Sequence, residues 1–216
     1  DFTIANVKKN VINSIPQPAS RSGLEALAII IQANSNALLI AGGRDGKLSA
    51  FHLPKEKNNN TSILKEFAQL ELPGPIIALT SSPDGAELLA GVGNGAIYRL
   101  RSDLSKAILL AENHARPVRA ISYADETSDK FATTALDRTI RIWDANDYKC
   151  ANTLMIRDAG DPTCLVFTLD FLLSGWTDGK IRAHDSTVNN NKSLWLIDDA
   201  HRGGVTALVL AKNRRF

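Results

Sequence analysis

Apolar residues in this chain come in short runs, divided by clusters of Gly, Pro, Asn and Asp. No window of about ten residues or more keeps a helical spacing of apolar positions, so the pattern predicts strands throughout. The runs fall into groups of four. Leu24–Gln32, Ala37–Gly42, Lys47–Leu53 and Ile63–Leu72 make the first group. Pro73-Gly74-Pro75 interrupts the chain before Ile76–Ser81, Glu87–Gly91, Ala96–Leu100 and Ala107–Leu110. Val118–Tyr123, Lys130–Ala135, Thr139–Asp144 and Lys149–Ile156 follow, then Thr163–Thr168, Phe171–Gly175, Lys180–His184 and Ser193–Asp198. Pro83-Asp84-Gly85 suits a tight turn, since Pro presets φ and Gly accepts positive φ. The turn at Leu169-Asp170 is unusually short.

One motif recurs at the same place in every group. Asp137-Arg-Thr-Ile-Arg-Ile-Trp143 aligns residue for residue with Asp45-Gly-Lys-Leu-Ser-Ala-Phe51, Asn94-Gly-Ala-Ile-Tyr-Arg-Leu100 and Asp178-Gly-Lys-Ile-Arg-Ala-His184. The leading residues stand 49, 43 and 41 positions apart. Repeats of roughly 40–45 residues with four strands each are propeller blades. Lys57-Asn58-Asn59-Asn60 lengthens the first interval and reads as a loop insertion, as does Asn189-Asn190-Asn191. Asp45, Asn94 and Asp178 are therefore the blade-turn positions, equivalent to Asp137. Gly follows three of them, which predicts two-residue hairpins with positive φ at both central residues. The inward positions are Leu48, Ile97, Ile140 and Ile181.

The fold class expected is all-β, with about four blades and the start of a fifth. Residues 1–23 read as a connector or the outer strand of a preceding blade. Blades occupy 24–72, 73–110, 111–156 and 157–198, and 199–216 begins a further unit with Gly204-Val-Thr-Ala-Leu-Val-Leu210. Propellers close with about 4–8 blades. Four blades and part of a fifth imply a fragment of a longer chain, an unusual closed form, or assembly with another copy.

Composition narrows function mainly by exclusion. The chain has 216 residues, 44% apolar, and a net charge of +2, which gives no nucleic-acid footprint. Lys8-Lys9, Arg99 with Arg101, and Arg214-Arg215 read as solvated surface. The longest apolar run, Ala26 to Ile31, is far short of the ~18 residues that would span a membrane. Cys150 and Cys164 lie on or beside strands and read as buried thiols, which favours a reducing cytoplasmic compartment. His52, His184 and His201 show no metal-ligand spacing. Gly91-Val-Gly93-Asn-Gly95 lies between strands with no helix after it, so it is a hairpin turn and not a phosphate loop. No cofactor is expected. Trp176 and Trp195 read as blade packing in preference to exposed binding aromatics.

The repeats resemble the WD40 family over residues 24–216, most clearly at Asp137 to Asp144. The last third resembles the cilia- and flagella-associated protein 52 family. The residues that carry this are Leu173-Ser-Gly-Trp-Thr-Asp-Gly-Lys-Ile-Arg-Ala-His184 and Asp199-Ala-His-Arg-Gly-Gly-Val-Thr-Ala207. Gly95-Ala-Ile-Tyr98 and Phe131 to Trp143 fit the same region. The resemblance implies part of a double WD-repeat propeller, similar in build to microtubule-binding EMAP-like proteins. It also implies a place in the lumen of axonemal doublet microtubules and a role in ciliary motility. The Asn-rich loops and the short Leu169-Asp170 turn depart from the family pattern.

The same resemblance assigns a structural role to the one set of residues that suggests catalysis. His114, Thr133 and Asp137 have the residue types of a hydrolase triad. In WD40 proteins, however, a His before the blade, a Ser/Thr, an Asp and a Trp form a hydrogen-bonded tetrad. His114, Thr133, Asp137 and Trp143 occupy those places. The fourth unit keeps Ser174 and Asp178 but has His184 for Trp, and His201 stands where a next unit would begin. A non-enzymatic scaffold of the axoneme, binding tubulin and neighbouring proteins, is the function this implies. The alternative is a cytoplasmic adaptor that presents substrates to a ubiquitin ligase or signalling complex, because fold does not fix function.

Overall fold

The computed structural model describes residues 22–32, 36–54, 64–125, 127–157, 159–186 and 193–211. Every element among them is a strand. The first sheet holds β1 (Leu24–Ile31), β2 (Ala37–Gly43), β3 (Lys47–Leu53) and β4 (Glu66–Glu71). The second holds β5 (Ile76–Ser81), β6 (Glu87–Val92), β7 (Ile97–Arg101) and β8 (Ala107–Leu109). The third holds β9 (Val118–Tyr123), β10 (Lys130–Ala135), β11 (Thr139–Asp144) and β12 (Cys150–Met155). The fourth holds β13 (Pro162–Phe167), β14 (Phe171–Trp176), β15 (Ile181–Asp185) and β16 (Ser193–Ile197). Each sheet is antiparallel with its strands in sequence order. The predicted Ile63 start of β4 and both Asn-rich loops lie outside the described residues.

Burial within each sheet follows strand position. β2, β6, β10 and β14 are the most buried, and β16 is exposed along its whole length. The sheets stack through their first strands, β1 on β5, β5 on β9 and β9 on β13. Two adjacent sheets share each main apolar cluster. One, for example, joins Ile30, Ile40 and Leu48 to Ile76, Leu88 and Leu100.

A glycine on the second strand makes close stacking possible at three contacts. A Cβ on Gly42 would lie 2.5 Å from Ile76 Cγ2, and one on Gly91 would lie 2.5 Å from Val118 Cγ1. On Gly175 it would meet Val205 Cγ1, again at 2.5 Å. The third sheet has Thr134 there instead. It is fully buried, with its hydroxyl unpartnered.

Several expectations need correction. The turns after Asp or Asn are not two-residue hairpins. Gly46, Gly95 and Gly179 take positive φ, but the residues before them do not. The N–H of Gly46 bonds the carbonyl of Gly43 at 3.2 Å, which makes an ordinary β-turn whose last residue is left-handed. Arg138 takes that conformation in the third sheet, with φ 67°. Residues 204–210 form no strand, because among the described residues no second strand follows to pair with them. Val205 still packs on the fourth sheet and is 1% exposed. Finally, Trp195 is 36% exposed and Cys150 is half-buried, while Trp176 and Cys164 are buried as expected.

Candidate functional site

The four turn residues do one local task in common. Asp45, Asn94, Asp137 and Asp178 each accept, through Oδ1, the backbone N–H two residues on, at 3.3, 3.0, 3.0 and 3.1 Å. This Asx geometry explains why Asp or Asn opens every repeat. In the third sheet the turn carboxylate also reaches His114, in the loop before β9.

There the loop before β9 carries His114 over the end of β10. Its Nε2 lies 2.7 Å from Thr133 Oγ1, and its Nδ1 lies 2.8 Å from Asp137 Oδ2. Trp143 on β11 donates its indole N–H to Thr133 Oγ1 at 2.9 Å. Thr133 accepts from the indole, so its single O–H is free to donate to Nε2. This leaves the proton on Nδ1, where it is donated to Asp137. The structure thus brings His114, Thr133, Asp137 and Trp143 into one chain of hydrogen bonds. It adds Thr139, whose hydroxyl donates to Asp137 Oδ1 at 2.6 Å. The backbone N–H of Ala115 reaches Asp137 Oδ2 at 3.1 Å.

Burial pushes the His114 imidazole below its usual range, and the Asp137 carboxylate only partly opposes this. The contact is therefore a hydrogen bond of a neutral imidazole, not an ion pair. Burial alone would raise the Asp137 carboxyl. Donation from Thr139 and then the His114 contact outweigh it, and the group stays below its ordinary value. His114 and Thr133 are 4% and 0% exposed, so no substrate reaches the pair as the structure stands. Phe131 stacks flat on Trp143 with ring centroids 5.6 Å apart.

The fourth sheet arranges equivalent positions differently. Asp178 pairs with Arg182, whose guanidinium also lies 4.8 Å from the Trp176 ring centre. Trp176, from β14, donates to Ser174 Oγ at 2.8 Å and so takes the role that Trp143 has on β11. His184, in the Trp143 position, is 4% exposed, and neither ring nitrogen has a partner. His201 repeats the backbone contact of His114. Its N–H bonds the Gly179 carbonyl at 3.1 Å, as that of His114 bonds Gly95 at 3.1 Å. The first two sheets have Ala41 and Ala90 where Thr133 stands, and Phe51 and Leu100 where Trp143 stands.

Sequence reasoning missed three contributors. Thr139 stands where the other repeats carry Lys47, Ala96 and Lys180, so a Thr there was the available signal. Trp176 could have been read as a donor once His184 replaced Trp. Glu87 had no local signal. It accepts from Arg99 Nε at 2.8 Å and from the Tyr148 hydroxyl at 2.5 Å, and it ties the second sheet to the third. Arg99 is thus ion-paired and half-buried, not solvated surface.

Residues 107–144 match the family model "WD domain, G-beta repeat". The matched segment starts on β8 and ends at Asp144 after Trp143, so it spans parts of two adjacent sheets. The chain is 31% identical over 151 residues to human cilia- and flagella-associated protein 52, covering 67% of this chain and 23% of that protein. The Chlamydomonas reinhardtii protein of that name is 29% identical, over 79% of this chain and 26% of its own length. Mouse WD repeat-containing protein 90 is 28% identical, over 88% of this chain and 10% of its own length. The chain spans about a quarter or less of the length of these relatives. Sheets of one topology, one repeated turn and the matched WD domain make this chain a WD40-repeat protein, related to cilia- and flagella-associated protein 52.

Proposed function

We propose that the chain is part of a non-enzymatic scaffold of the ciliary or flagellar axoneme. Its stacked sheets would present loops that bind tubulin and neighbouring proteins of doublet microtubules, in support of motility. Loops on a rigid frame are suited to such contacts. The observation that carries this reading is similarity to cilia- and flagella-associated protein 52, from human to Chlamydomonas, over 67% and 79% of the chain. The burial of His114 and Thr133 supports a structural use of this triad-like group, so the tetrad is read as a rigidifying network. The test is to tag the full-length protein at its own locus, fractionate axonemes and co-sediment it with doublets. Recovery in the doublet fraction, with weakened doublets on deletion, is the expected outcome. Absence from axonemes would refute the reading.

A further inference from the structure

The second and third sheets are locked together at two places, and the third and fourth at neither. On the inner side Val118 seats against Gly91 of the second sheet, as Ile76 does against Gly42 of the first. In the third sheet Thr134 holds the glycine's place, and Pro162 stands where Ile76 and Val118 do. On the outer side Trp143 shares a buried cluster with Ile97 and Leu110 of the second sheet. The Tyr148 hydroxyl donates to Glu87 across the same contact. His184, at the Trp143 position of the fourth sheet, is smaller, and both its nitrogens lack a partner. An open cleft of about 340 Å³ lies there, with Met155 of β12 and Leu196 of β16 among its lining.

Polar burial marks the same contact. Among the described residues, five buried side-chain polar atoms have no partner, and three of them belong to Thr134 and His184. Thr134 lies on the same face of β10 as Ala132, which shares a cluster with Leu165 and Phe167 of the fourth sheet. His184 lies beside Leu154 of the third sheet in the lining of the cleft. The two side chains thus approach one contact from opposite sheets. A buried polar group without a partner costs its desolvation, so the closed form carries a penalty that parting the sheets removes. The polar links across this contact join the loops at the two ends of β13. The Asp125 N–H bonds the Phe167 carbonyl at 3.1 Å, and Arg138 stands 3.5 Å from Asp161.

We infer that this contact is a joint: the fourth sheet swings away from the third about β13, while the first three sheets stay stacked. Opening starts at the cleft, brings solvent to His184 and Thr134, and uncovers the Ile140 and Leu154 part of the shared cluster. Segments that open locally are drawn from the least stable contacts of a fold, and here they coincide with the unsatisfied groups. The inference does not depend on the axonemal reading.

Ile97 and Ile140 hold the same place in the second and third sheets, and both are fully buried in the cluster shared with the sheet that follows. Ile97→Cys and Ile140→Cys therefore put matched thiols into the two contacts. Each variant of the full-length protein is treated with iodoacetamide under native conditions, and labelling of its peptide is followed by mass spectrometry. The thiol at position 140 should react at least about tenfold faster than that at position 97. Thr134→Val with His184→Phe removes the unsatisfied groups and keeps the branched and aromatic shapes. Together they should slow labelling at position 140 by about tenfold and leave position 97 unchanged. Should a cysteine variant fail to fold, deuterium exchange of the indole N–H groups in the unsubstituted protein makes the comparison, with Trp176 faster than Trp143. Equal rates at the two contacts, a gap that survives Thr134→Val with His184→Phe, or slowing at both positions overturns the inference.

Discussion

The third and fourth sheets share one topology and one turn motif, yet they satisfy their buried polar groups differently. In the third sheet five side chains from a loop, a turn and two strands close a single network: His114, Thr133, Asp137, Thr139 and Trp143. In the fourth the polar groups divide into an Asp178–Arg182 pair, a Trp176–Ser174 bond and an unsatisfied His184. The repeat therefore specifies backbone shape through its Asx turn and inward aliphatics. Polar cooperativity is an addition that one sheet has and its neighbour lacks. It shows where damage should spread and where it should stay local.

The largest difference should come from Trp143→Ala. It removes a fully buried ring stacked on Phe131 and also leaves Thr133 without its indole donor. A loss of about 3–5 kcal/mol is expected, measured by chemical denaturation. His184→Ala, at the equivalent place, should cost much less, because it removes a side chain with no polar partner. Equal losses would mean that the network contributes nothing beyond volume.

Asp137→Asn is next, at about 2–3 kcal/mol. The amide would put a donor against the His114 Nδ1 proton or the Thr139 hydroxyl, and either conflict spreads to Thr133 and Trp143. Asp178→Asn should cost less, about 1 kcal/mol: it weakens the pair with Arg182 on β15, but the Asn amide oxygen still accepts from the guanidinium. Comparable losses at the two aspartates would break the contrast between network and pair.

Much of this was readable from the sequence, and the part that was not has physical causes. All sixteen strands of the described residues appear in the apolar runs, with edges shifted by a residue or two apart from β4. Turn residues and apolar alternation are local signals, so a single pass along the chain finds them. His114 and Asp137 were placed together by a family pattern, and Thr139 was not. Its role depends on a distance across the turn that residue spacing does not encode. Glu87, Arg99 and Tyr148 meet across two sheets, and no local pattern announces such a contact. The turn type was misread because Asp-Gly favours more than one positive-φ geometry. Here the Asx bond from Asp or Asn holds the first residue at negative φ.

His184→Phe should produce a smaller effect of opposite sign. Removing two unsatisfied buried nitrogens while keeping an aromatic ring should add about 1 kcal/mol at neutral pH. The pH profile sharpens this. His184 and His114 both have folded values below the unfolded 6.5. Their neutral forms are preferred by the folded state, so full stability holds above pH 6.5 and falls as the solution is acidified below it. Asp137, with its depressed carboxyl, contributes a second loss below its unfolded 3.8. In His184→Phe the decline between neutral pH and about pH 5 should be shallower, with only His114 remaining of the pair. An unchanged slope would mean that His184 is already free of the burial cost.

Arg138→Gly tests the same two sheets at their turns and should give the smallest change. Arg138 holds φ at 67°, where the equivalent Gly179 holds 80° at little cost. A left-handed non-glycine residue is strained by roughly 1–2 kcal/mol. Glycine would relieve this but would lose about 0.5–1 kcal/mol through the greater freedom of the unfolded chain. The Arg138–Asp161 contact, 3.5 Å long with the arginine side chain 70% exposed, adds little to the balance. A net gain near 0.5 kcal/mol should therefore appear as a rise in Tm of a degree or two, by scanning calorimetry. The reciprocal Gly179→Arg should cost more than Arg138→Gly gains. A Cβ at Gly179 would come within 2.2 Å of the His201 carbonyl, so strain and collision would add there. If the two substitutions instead proved equal and opposite, the third and fourth turns would be interchangeable. Their difference would then lie wholly in the network that the Asp137 carboxylate enters and that of Asp178 does not.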